Sequence, residues 1–255
     1  MLRPRLIPCL LLANNGLVKT IKFQERKYIG DPLNTVRIFN EKKVDEIIIL
    51  DIDATKCKKD PDYQLIKKIS KECSMPLCYG GGLKNINQIE SIINLGVEKI
   101  ALGTEALKNP KLVQLASNRL GKQSVVVLLN IQKANWGINK YKLIDPTNMN
   151  SLSTDIFHFI NLIQEYGVGE IIIQSVDRDG TREGYDINLI RTLFHEIDVP
   201  ISVLGGAGRL SDCKSLYEEF GIIGASAGSL FTFVGKFRAV LIQYPDEKEK
   251  IKLFQ

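Results

Sequence analysis

Eight short apolar runs alternate with amphipathic stretches, and a set of aspartate and glycine motifs repeats at half-chain period. Together they predict an α/β protein, a (β/α)8 TIM barrel built from two half-barrel repeats. The apolar runs lie at 6–10, 46–50, 77–78, 99–102, 124–129, 170–174, 201–203 and 224–225. Several are unbroken Val/Ile/Leu, the pattern of parallel strands covered on both faces. Amphipathic stretches at 31–42, 63–71, 86–95, 154–166, 187–196 and 210–220 supply helices between them. Eight such units in 255 residues match the size of this barrel. An open doubly wound sheet would carry a Gly-rich dinucleotide turn near the N-terminus, and no GxGxxG stands there.

Composition sets further bounds. With 44% hydrophobic and 25% charged residues, the chain is neither collagen-like, nor disordered, nor a disulfide-stapled mini-domain. No apolar run approaches the ~20 residues of a membrane span. The opening run through Leu6-Ile7-Pro8-Cys9-Leu10 is apolar like a signal peptide. Pro8 interrupts it, however, and Asn14-Asn15-Gly16 stands where a small-residue cleavage site would be, so a buried strand is expected. Five cysteines (Cys9, Cys57, Cys73, Cys78, Cys213) without a CxxC pair suggest free thiols and a cytoplasmic location. His158 and His195 are the only histidines, and no zinc spacing occurs, so neither metal nor cofactor is expected. A net charge of +5 suits an anionic ligand or simply a lysine-rich surface. No nucleic-acid motif is present.

The repeat is specific in its spacing. Asp51-Ile52-Asp53-Ala54-Thr55 precedes Gly80-Gly81-Gly82, then Gly103-Thr104. Asp177-Arg178-Asp179-Gly180-Thr181 precedes Gly205-Gly206-Ala207-Gly208, then Gly228-Ser229. Asp51 to Gly80 is 29 positions and Asp177 to Gly205 is 28; the next intervals are both 23. Two half-barrels, about 1–120 and 121–255, would form one closed domain over 1–255, with no linker between them.

Each motif falls at the C-terminal end of a predicted strand, the face of such barrels that holds active sites. A Gly-rich turn before a helix lets backbone N–H groups approach a phosphate. Gly82, Gly103 and Thr104 would form one cradle; Gly180, Gly206, Gly228 and Ser229 would form another. A ligand reaching both would carry a phosphate at each end. The same glycines also suit tight βα turns. Asp51, Asp53, Asp177 and Asp179 are placed for acid–base work or for capping the helices that follow. Lys19 could meet an anion or remain solvated. Trp136, in a polar stretch with Asn135, Gly137 and Asn139, could stack on a ligand or anchor a loop. His158 and His195 fall on predicted helices and read as surface residues.

Beyond these, Ile7-Pro8-Cys9-Leu10, Gly80-Gly81-Gly82, the 177–181 block, Gly184-Tyr185-Asp186 and Gly205-Gly206-Ala207-Gly208 resemble the HisF family, the cyclase subunit of imidazole glycerol phosphate synthase. The likeness runs over about 1–235. It implies a (β/α)8 barrel that takes ammonia from a separate glutaminase and cyclises a bis-phosphorylated ribulosyl intermediate. Lys19, Asp51 and Asp179 match family site positions. Two catalytic aspartates of the family do not: their positions hold Leu11 and Asn130. Leucine has no titratable group, and an amide exchanges no proton at neutral pH. The family's asparagine before Thr104 is Gly103.

The resemblance also maps an ammonia gate, a charged ring at the barrel base, onto Arg5, Glu46, Lys99 and Glu170. Divergence at the mouth with these charges kept is similar to the HisF-like proteins found beside surface-polysaccharide genes. Cys9-Leu10-Leu11-Leu12, Lys27-Tyr28-Ile29-Gly30-Asp31-Pro32 and Gly235-Lys236-Phe237-Arg238-Ala239-Val240 fit that subgroup. The resemblance implies a HisH-like glutaminase at the N-terminal face, a phosphorylated ligand, and a sugar amidotransferase as the consumer of ammonia. It leaves two alternatives: a true cyclase of histidine biosynthesis, and a non-catalytic scaffold that activates its glutaminase.

Overall fold

The computed structural model describes residues 4–134 and 140–254, so Trp136 and its neighbours Asn135, Gly137 and Asn139 lie outside the described residues. Barrel strands are numbered β1 (Arg5–Ala13), β2 (Ile47–Asp51), β3 (Leu77–Gly80), β4 (Lys99–Leu102), β5 (Val125–Lys133), β6 (Glu170–Ser175), β7 (Ile201–Leu204) and β8 (Gly224–Ala227). Each pairs in parallel with the next, and β8 pairs with β1, which closes the sheet.

Alternate side chains fill two cores. Ile7, Cys9, Ile48, Cys78, Ala101, Val126 and Ile172 pack the lumen. Leu6, Leu10, Ile47, Ile49, Val125 and Ile173 face outward against the helices. Both faces are therefore apolar, which is why these strands read as unbroken hydrophobic runs. Helices α1 (Pro32–Glu41), α2 (Tyr63–Glu72) and α3 (Ile86–Ile93) begin at Asp31, Asp62 and Asn85, whose side chains each accept a first-turn N–H. After β4 come α4 (Thr104–Lys108) and α5 (Lys111–Leu120). Asp155 and Asp186 cap α6 (Ile156–Glu165) and α7 (Ile187–Leu193). The predicted helix at 187–196 ends early, in a 3-10 turn at Phe194–Glu196. Helix α8 (Leu210–Phe220) covers β7.

Two hairpins at the mouth and a small one near the C-terminus were not foreseen. After β1, strands Gly16–Ile21 and Gln24–Gly30 fold back antiparallel. Asn14 and Asn15, at φ 49° and 61°, supply the left-handed turn that such a hairpin needs. The second hairpin pairs Tyr141–Asp145 with the end of β5. After β8 the chain makes only one helical turn, α9 (Ser229–Thr232), and a small hairpin of Phe233–Val234 with Ala239–Val240. It then runs to the barrel base. There Tyr244 Oη donates to the Leu6 carbonyl (2.9 Å), and Lys250 of α10 (Glu247–Phe254) pairs with Asp45 (2.9 Å). No described helix is long and apolar enough to cross a membrane.

Candidate active site and the charged base of the barrel

The C-terminal strand ends open into two adjoining cavities. The larger, about 170 Å³, is lined by Gly82, Gly103 and Thr104 together with Asp51 and Asn130. The smaller, about 30 Å³, is lined by Gly180, Gly206, Gly228 and Ser229 together with Lys19 and Asp179. Leu11, Thr20 and Gln174 line both and stand between them. The fold thus gathers every residue expected in the two cradles at one mouth, in two sets. Gly180 shows why one of these turns needs glycine: at φ 67° a Cβ would lie 2.1 Å from the Thr20 carbonyl oxygen. The helices behind Gly103 and Gly228 have five and four residues, so little helix dipole backs either cradle.

The acids divide into two kinds. Asp51 Oδ1 accepts from the N–H groups of Asp53 (3.0 Å) and Ala54 (2.9 Å), so it closes its own loop while lining the larger cavity. Asp179 Oδ2 accepts from Thr20 Oγ1 (2.7 Å) and the Phe23 N–H (3.2 Å), tying the first hairpin to the loop after β6. Burial raises the pKa of both carboxyls above the usual range. Asp53 pairs with Arg26 (2.7 Å), and Asp177 Oδ2 accepts from the Lys133 N–H (2.7 Å); neither lines the two cavities.

Lys19 is not solvated. It is 6% exposed, its Nζ donates to the Cys9 carbonyl, and burial lowers its pKa. Leu11 and Asn130 face the mouth as the strand alternation requires. Gln174, which sequence reasoning passed over, is the register partner of Asn130. Its signal was available, because it occupies the inward parity of β6, two positions above Ile172. His158 and His195 line neither cavity. Among the described residues no group of three His, Cys, Asp or Glu side chains could hold a metal.

At the opposite end, Arg5, Glu46, Lys99 and Glu170 form a closed ring. Arg5 binds Glu46 at 2.5 Å and Glu170 at 2.8 Å; Lys99 binds Glu46 and Glu170, both at 2.8 Å. Acids and bases alternate, so each charge has two opposite neighbours. Ser202, also missed from sequence, donates to Glu170 Oε1 at 2.5 Å. Burial alone would raise the Glu170 pKa, but Arg5 and Lys99 overcome it and hold the carboxyl below the ordinary glutamate range.

A family model for histidine biosynthesis proteins matches residues 5–238. A Leptospira borgpetersenii protein, provisionally named imidazole glycerol phosphate synthase subunit HisF, is 48% identical over all of both chains. The chain belongs to the HisF family. A Vibrio vulnificus protein, provisionally named subunit hisF3, is 46% identical over all of this chain and 98% of its own. At lower identity, the HisF subunit of Lactococcus lactis is 34% identical over 91% of this chain and 90% of its own. The HisF family is of the cyclase-subunit type and works with a HisH glutaminase.

Proposed function

We propose that this HisF-family barrel receives ammonia from a HisH-like glutaminase at its base and delivers it at its mouth for amidation of a surface-polysaccharide sugar. One observation carries this reading. The ring of Arg5, Glu46, Lys99 and Glu170 is complete, while the mouth presents Leu11 and Asn130 where cyclisation calls for proton-transfer groups. General acid–base catalysis contributes ~10²–10⁴-fold per group. A barrel without it is a better conduit than a cyclase. Identity falls from 48% with the provisionally named Leptospira relative to 34% with the Lactococcus subunit, in keeping with a paralogue.

In this reading the ring is the ammonia gate. Its four charges meet side chain to side chain, so a small neutral molecule passes only when one of them moves aside. Glycine turns with Thr104 and Ser229 hold a phosphorylated ligand, and buried Lys19 adds a cation under the second cradle.

A second reading, the true cyclase of histidine biosynthesis, is favoured by Lys19, Asp51, Thr104 and Asp179 standing around two phosphate cradles. Cyclase turnover with the bis-phosphorylated ribulosyl substrate and free ammonium, without glutaminase, separates the two. No turnover by folded protein is expected. Turnover like that of an ordinary family member would establish the cyclase instead.

A further inference from the structure

Asn130 and Gln174 are 2% and 4% exposed. They are register neighbours on β5 and β6, so their side chains rise from adjacent strands on the same face, roughly 5 Å apart. Among the described residues, neither amide group has a side-chain hydrogen bond, yet neither is sealed into the protein: both line the mouth cavity. Their donors and acceptors are therefore open to a molecule in the cavity.

The surroundings restrict what that molecule is. Leu204 is the register partner of Gln174, Leu128 lies two positions below Asn130, and Leu11 lines the same cavity. Three charged groups of the mouth are already engaged: Lys19 is turned to the Cys9 carbonyl, Asp179 is held by Thr20, and Asp51, in the same cavity as the amides, accepts from the Asp53 and Ala54 N–H groups. A charged group seated between the amides would exchange its hydration for two uncharged partners. Two carboxamides instead offer carbonyl acceptors and N–H donors with no net charge. They match a small molecule that donates and accepts.

We propose that Asn130 and Gln174 form a charge-free binding station for a small neutral hydrogen-bonding molecule. Its identity as ammonia rests on the conduit reading above. Ammonia donates N–H to the two amide oxygens and accepts at its lone pair from an amide N–H. A carboxylate at position 130 would instead favour the protonated ion and hold it. The amides keep the nucleophile free and mobile where the lumen meets the mouth.

The test uses the barrel alone. The side-chain amide resonances of Asn130 and Gln174, assigned by loss in Asn130→Leu and Gln174→Leu, are followed by ¹⁵N–¹H NMR. Ammonium chloride is titrated at constant ionic strength, well below and near the ammonium pKa. Both resonances should shift with the free-base concentration, at least ten-fold more near that pKa than below it at equal total ammonia. Trimethylamine should leave them unmoved. In Asn130→Asp, the Gln174 resonance should respond to ammonium at the lower pH. Silence toward ammonia at both pH values, meaning that the amides hold only water, overturns the proposal. So does a wild-type response that follows total ammonium. The wild-type titration decides even if the variant fails to fold. Because no glutaminase or acceptor is present, the result is independent of the cyclase assay that tests the conduit reading.

Discussion

Gly228 closes so tightly over Lys19 that a Cβ at position 228 would stand 2.2 Å from Lys19 Nζ. Its φ of −99° suits any residue, so this glycine is required for room and not for backbone freedom. The second cradle and the buried ammonium are thereby one unit. The lysine head donates to the Cys9 carbonyl and fills the space that a side chain at 228 would need.

Gly228→Ala must push the lysine from its carbonyl. The expected cost is about 1–3 kcal/mol in urea denaturation, with weaker binding of inorganic phosphate by calorimetry. Gly180→Ala should cost more. Its obstacle is the rigid Thr20 backbone at 2.1 Å, and its φ of 67° adds strain.

The base ring should be a large contributor to stability by the measure of partner removal. Glu170→Ala leaves Arg5 and Lys99 short of a counter-charge in a buried setting, and should cost ~3–5 kcal/mol. Arg37 and Glu72 also pair, at 3.3 Å, but both are well exposed. Arg37→Ala should leave stability almost unchanged. Equal losses in chemical denaturation of the two variants would contradict the buried ring.

The ring also sets a pH dependence. The Glu170 pKa is lowered in the fold, because Arg5 and Lys99 outweigh burial. Its stabilisation is therefore complete above the ordinary glutamate value of about 4.3, and is lost as pH falls through the lower folded value. The Lys99 pKa is raised, since its two glutamates outweigh the lowering by burial. Its share is complete below the ordinary lysine value of about 10.4 and is lost as pH rises beyond it. The stability gap between wild type and Glu170→Gln should stay flat through neutrality and shrink on acidification. A gap that widened below pH ~4 would reverse the sign.

The barrel was legible because strands covered on both faces are apolar through their middles, and β2, β5 and β6 each carry an unbroken run of Ile, Val or Leu. The matched 23-residue intervals then placed both cradles at one mouth. The hairpins were hidden by composition. Gln24–Gly30 is mostly exposed and polar, and the turn that leads into it is Lys22-Phe23, both at positive φ and neither a residue that signals a turn. Contacts between distant residues were beyond reach of local pattern. Arg26 meets Asp53, and Thr20 meets Asp179 across 159 positions, only because the first hairpin folds over the mouth. Asn130 was visible as a lost acid, but its pairing with Gln174 needed the register of β5 against β6.

Restoring acids at the mouth tests how far the pocket has diverged. Leu11 pairs in register with Leu50 and is 8% exposed, so Leu11→Asp buries a carboxyl beside leucine and should cost a few kcal/mol. Asn130→Asp replaces one polar side chain by another of the same shape, already facing the cavity, and should be milder. If the cradles still hold the ribulosyl substrate in reacting geometry, the double variant should gain ~10²-fold or more in ammonium-dependent cyclase turnover over wild type. Each single variant should gain less, because acid and base act together. A double variant that folds but stays inert would place the difference in the cradle itself. Gly103 is the first suspect there, since a Cβ at that position would find only the Leu128 carbonyl, 3.9 Å away, leaving the first phosphate without a side-chain wall.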